Sequence, residues 1–258
     1  MFVSFFTKLK PWWAFPRPLA ISFALGGTAW IIASWLIVYE FVLPLLFTGL
    51  INLGVPLVAF VQEKNMVAIL FLSFIYAPLT VALVWLFFKP YLRRKGQSLK
   101  ALVGLARWPQ IKDSLFGVGA YVVYMALALA SFVLVSYFLP HVNLNQAQDL
   151  GINRPADVLG YILTFVMLVI LPPFVEEVLF RGFLFGTLRR GFPWWLSALL
   201  TSLLFGLAHQ QVNLFIDTFI LSLVLCYLRE KTGSIWAGML VHSLKNTLAF
   251  LYFISLIH

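Results

Sequence analysis

The strongest constraint on this chain is the recurrence of apolar runs long enough to cross a bilayer. A helical span needs roughly 20 apolar residues to cover about 30 Å of hydrocarbon. Candidate runs lie at about 20–44, 66–88, 115–139, 158–180, 194–209, 213–228 and 233–257. The fifth and sixth are short, so they tilt little or end at a water-filled cavity. Of the 258 residues, 62% are hydrophobic and 10% charged; a soluble domain has about 45–50% and about 25%. The expected fold class is all-α: a polytopic transmembrane helix bundle of about seven spans, or eight if part of 44–61 inserts separately.

Charge sets the expected orientation. The net charge is +9, and much of it sits at 89–113. There Lys89, Arg93, Arg94, Lys95, Lys100, Arg107 and Lys112 face one acid, Asp113. Basic loops stay cytoplasmic. The N-terminal segment, with Lys8, Lys10 and Arg17, reads the same way. Two cytoplasmic ends need an even number of crossings between them. One long or kinked passage in 19–61, followed by 66–88, supplies that. Residues 140–157 then lie outside, Arg189, Arg190, Arg229 and Lys231 inside, and the C-terminus outside. Trp12, Trp13 and Phe15 suit a headgroup-level belt on a retained N-terminus without a cleavage pattern. No recognition module accompanies the basic loop, which argues against nucleic acid as a partner and leaves the bilayer. The single cysteine, Cys226, forms no intrachain disulfide and is expected to pack.

Ionisable groups inside a membrane are costly and default to functional hypotheses. Glu176, Glu177, Arg181, His209, Asp217, His242 and Lys245 all fall in the last hundred residues. Glu40 and Glu63, the acids of the N-terminal region before the basic loop, are expected at span ends. The chain therefore divides into an N-terminal transmembrane region, 1–156, with the basic loop 89–113, and a core, 157–258, where function is concentrated.

Three patterns stand out. In EEVLFR, Glu177 and Arg181 share a helix face at i,i+4, while Glu176 points about 100° away without that partner. Two carboxylates in one low-dielectric place resist ionising together, which is how a site obtains a proton acceptor near neutral pH. An interfacial helix end with a surface ion pair is the plain alternative. In FGLAH, Phe205 and His209 share a face, and Gln210, Gln211 and Asn213 follow. In HSLKN, His242 and Asn246 share a face and can both donate to one oxygen, as in an oxyanion hole. Interhelical hydrogen bonding explains that pair equally simply. Lys245 faces another side, where it snorkels or pairs with an acid such as Asp217.

Taken together, the three patterns resemble EExxxR, FxxxH and HxxxN of the membrane-embedded CAAX-type prenyl proteases and their bacterial CPBP (ABI) relatives, which include bacteriocin-processing and self-immunity proteins. The likeness covers roughly 157–258. It implies a helical membrane endopeptidase in which Glu176 activates water with help from His209. His242 and Asn246 would stabilise the oxyanion, and Glu177 and Arg181 would orient the site, with Phe205 in support. Implied substrates are membrane-associated, amphipathic or lipidated peptides. The implied setting is a prokaryotic cytoplasmic membrane, with a bacterial-type role ahead of true prenyl-protein processing. Members are often described as metalloproteases, and Glu176, His209 and His242 could hold zinc with water in the fourth place. With HExxH absent, the metal-free glutamate mechanism is preferred. A non-catalytic immunity or scaffold protein and a proton-linked transporter are the competing functions.

Overall fold

The structure, a computed structural model, describes residues 17–54, 66–96, 98–144 and 157–257. The N-terminal aromatic segment, Glu63 and much of the 140–157 connection lie outside the described residues. Every regular element among the described residues is helical. We label them α1 (residues 17–52), α2 (Met66–Lys95), a short α3 (Leu99–Val103), α4 (Ile111–Phe138), α5 (Val158–Gly191), α6 (Trp194–Leu207), α7 (Val212–Thr232) and α8 (Trp236–Ile257).

The chain is an all-α membrane helix bundle. Ile111–Phe138, Val158–Gly191 and Val212–Thr232 are each long and apolar enough to cross a membrane, and shorter apolar stretches occur at Ile21–Ser34, Pro78–Pro90 and Trp194–Leu207. The lipid solvent shows in α4, where Leu115, Val122, Leu129, Val133 and Tyr137 are all exposed. In water so long an apolar surface would drive association; in a bilayer it is the solvated face.

Prolines shape the helices at two places. In α1 the helix widens to a π turn at Val38–Val42, where the Leu43 N–H bonds to Val38 O. Pro44 follows, without the N–H that an α-helix would return to Glu40 O. The passage bends but does not stop, and runs on to Asn52. Glu40, expected at a span end, therefore sits exposed at a mid-helix turn. The same device recurs in α5: a π turn at Val166–Ile170 precedes Pro172 and Pro173. A second π segment, Glu177–Leu184, carries the helix past the expected end at 180 to Gly191.

Two apolar clusters position the site. One packs Phe88 and Leu92 of α2 and Leu102 and Val103 of α3 against Val178, Phe183 and Leu184 of α5, drawing on both sides of the 156/157 division. The other packs Tyr124 and Ala128 of α4 against Leu221 and Leu225 of α7 and Val241 of α8. Cys226 is fully buried in α7.

Candidate active site

The first motif lies on α5 where its geometry changes. Glu176 ends an α-helical turn and Glu177 opens the π segment. π segments of this kind are uncommon and recur at functional sites. Glu177 and Arg181 are both fully buried, with Arg181 Nη1 3.0 Å from Glu177 Oε1. The pair is therefore internal, which disposes of a surface ion pair at a helix end. The contact has ion-pair distance without hydrogen-bond alignment, since no side-chain nitrogen of Arg181 has a hydrogen-bond partner. The guanidinium lies instead over the Phe205 ring, 4.4 Å from its centroid, an arrangement that offsets part of the loss of water.

His242, from α8, meets both glutamates. Its Nδ1 is 3.2 Å from Glu177 Oε1, and its Nε2 is 3.6 Å from Glu176 Oε2. A carboxylate can only accept, so a hydrogen on Nδ1 would point to Glu177, and Nε2 is directed to the Glu176 side. His242 is 4% exposed, whereas the Glu176 side chain is 29% exposed. Of the two carboxylates, Glu176 alone is open to solvent or substrate. Gly238, one turn before His242, permits this approach: a Cβ there would stand 2.9 Å from Glu177 Oε2.

Phe205 joins the second motif to the first. It is fully buried and makes edge contacts with His209 and His242 at centroid distances of 5.0 and 5.8 Å. It also meets Phe180 edge-on at 4.8 Å. His209 is half-buried, and its Nδ1 is held by Phe205 O at 2.8 Å, which leaves Nε2 for other partners. After it the chain turns sharply at Gln210, which adopts a left-handed φ of 59°, and α7 begins.

Asn246 reports on the prolines. Its Nδ2 donates to Leu168 O at 2.7 Å. Leu168 stands four residues before Pro172, which has no N–H to return to that carbonyl. The carboxamide of α8 fills the acceptor that the proline leaves open. The Pro-Pro pair of LPPF carried this signal in the sequence, because a proline in a helix frees the carbonyl four positions back. Motif spacing alone did not reveal it, and did not reveal the roles of Gly238 or Tyr124.

Lys245 does find Asp217: Nζ is 3.2 Å from Oδ2. Tyr124 of α4 donates to the other oxygen, Oδ1, at 2.5 Å. This cluster joins α4, α7 and α8 and is separate from the glutamates.

A zinc ion would need Glu176, His209 and His242 around one point. Among the described residues no group of three or more His, Cys, Asp or Glu is placed to hold a metal ion. His242 faces the two glutamates through both ring nitrogens, and His209 packs against the Phe205 ring. The donor set as folded does not fit a tetrahedral ion.

Comparisons with known proteins agree with the motifs. A 24.3 kDa uncharacterised Escherichia coli protein is 36% identical over 96 residues, 35% of this chain and 44% of that protein. The Bacillus subtilis (strain 168) protein named "Putative membrane peptidase YdiL" is 26% identical over 85 residues, 33% of this chain and 35% of that protein. The chain thus spans less than half the length of either relative. No solved structure matches it. Residues 158–248 match the family described as type II CAAX prenyl endopeptidase Rce1-like. The region similar to that family is therefore the one that carries all three motifs.

Proposed function

We propose that the protein is a membrane endopeptidase that hydrolyses peptide bonds of membrane-associated or lipidated peptides, with Glu176 as the general base. The observation that carries this reading is the asymmetry of the two carboxylates. Glu177 is sealed against Arg181 and His242, while Glu176 beside it stays 29% exposed. Glu176 takes a proton from water, and the hydroxide attacks the scissile carbonyl carbon. The proton then passes to the leaving amine as the C–N bond breaks. His209, fixed through Nδ1 by Phe205 O, presents Nε2 to the same water or to the leaving group. His242, oriented by Glu177 as a buried carboxylate orients a catalytic histidine, donates through Nε2 to the oxyanion when that nitrogen carries a proton. Asn246 gives one amide hydrogen to Leu168 O and has a second for the oxyanion. Arg181 holds Glu177 in place, and Phe205 spaces the two imidazoles.

The test is cleavage of a membrane-anchored farnesylated peptide with a free C-terminus, alongside a panel of unlipidated amphipathic peptides. Glu176→Gln keeps size and hydrogen bonding but removes the base. Retained cleavage in that variant would end the catalytic reading. Turnover of the unlipidated panel alone would exclude prenylated substrates.

A further inference from the structure

The 89–113 segment is more than a charged connection, because it is fastened to two of the helices that carry the proposed site, α5 and α8. At Phe185, α5 leaves its π segment, and the Phe185 N–H goes to Phe180 O. An unbroken α-helix would give that N–H to Arg181 O. Arg229 of α7 takes the released carbonyl instead, with Nε 3.3 Å from Arg181 O. The same guanidinium reaches Leu102 O of α3 through Nη2, also at 3.3 Å. A basic residue at a helix end would ordinarily turn to the headgroups; this one bonds two backbone carbonyls.

Gly104 completes the junction. It ends α3 with φ 81°, a left-handed conformation, and a Cβ there would lie 2.8 Å from Arg229 Cζ. Its carbonyl accepts from Ser234 Oγ at 2.9 Å and from the Ile235 N–H at 3.3 Å. Trp236, the first residue of α8, donates Nε1 to Arg107 O at 2.7 Å. Arg107 is in turn held by Asp113 through two bonds of 2.6 Å.

We propose that Arg229 and Gly104 form a positioning clamp through which residues 98–107 hold the π segment of Glu177 and Arg181 in register with the start of the helix that bears His242. The inference rests on the proposed function for its catalytic consequence, but its structural content stands apart. It gives the N-terminal region a part in the site without contact with substrate. The clamp fixes two arms that must meet within hydrogen-bond distance, and a displacement of about 1 Å can cost about 100-fold in rate.

The experiment uses the full chain in detergent micelles and has two arms: hydrogen exchange resolved along the chain, and kinetics on the farnesylated peptide above. In Arg229→Gln and Gly104→Ala, exchange across 177–184 and 236–242 should rise about tenfold, while the middle of α4 is unchanged. The kcat should fall about 100-fold with KM within about twofold. Arg229→Lys keeps the charge but loses the two-pronged fork, and should behave like the glutamine variant. If lysine restores wild-type exchange and kcat, Arg229 acts only as a charge and the clamp is overturned. Ser234→Ala removes the bond to Gly104 O and also the acceptor of the Trp236 N–H, so it is read across 177–184, where exchange should rise about threefold, and it remains informative if the stronger variants misfold. Wild-type exchange across 177–184 in folded Ser234→Ala overturns the clamp as well. A wild-type protein that leaves the peptide uncut counts against the proposed substrate class only, and the exchange arm then decides the clamp alone.

Discussion

Among the carboxylate–cation clusters of the described residues, those at Asp217 and at Glu177 differ in how completely their oxygens are used. At Asp217 both are taken: Tyr124 donates to Oδ1 and Lys245 sits against Oδ2. At Glu177 the ion pair with Arg181 is equally intimate, but a second carboxylate stands beside it, partly exposed and facing the same histidine. A saturated cluster joins helices. An open one has a group free to accept a proton. Both are costly in a membrane, and the difference separates the one that ties α4, α7 and α8 together from the one placed to do chemistry.

The comparison can be broken by substitution, beginning with the largest effect. Glu176→Gln should lower peptide cleavage by on the order of 10²–10⁴ while leaving thermal unfolding in detergent unchanged; Asp217→Asn should show the reverse ordering, with a loss of stability that exceeds its loss of turnover. Arg181→Met leaves Glu177 buried without its cation, and should destabilise by about 3–5 kcal/mol in a denaturant titration. A variant that unfolds like wild type would show that water reaches Glu177. Lys245→Met should cost less, about 1–2 kcal/mol, because Asp217 keeps Tyr124 and is partly exposed; adding Asp217→Asn to it should recover part of that loss, as a double-mutant cycle reads directly. Tyr124→Phe should cost about 1 kcal/mol, the net worth of one hydrogen bond. The smallest effect is expected from a strong chelator, which should leave cleavage intact. Loss of activity restored by zinc would replace the glutamate mechanism with a metal-assisted one.

Much of this was legible from local chemistry. The apolar runs required helices, and the i,i+4 placement of Glu177 and Arg181 required a pair, because both depend only on composition and helical period. The pairing of Lys245 with Asp217 could only be left open, since it joins α8 to α7 across the bundle. The π segments were not anticipated. Periodicity assumes a regular helix, and the widening at 38–42 and 166–170 follows from N–H groups that Pro44, Pro172 and Pro173 lack. The basic loop is legible only in part: its charge can be read from the sequence, but the carbonyls through which Leu102 and Gly104 are bound cannot.

The sequence by itself determined that the chain lives in lipid, that its polar groups are few, and that they recur in three patterns along successive apolar runs. Each of these follows from side-chain chemistry counted along one dimension. Only the tertiary structure decided which of two adjacent glutamates is sealed and which is open. That choice depends on where α8 brings His242, how closely Gly238 lets it approach, and what covers each carboxylate. Distances between helices are set by packing and by unpaired carbonyls seeking donors, and no spacing within a single helix encodes them.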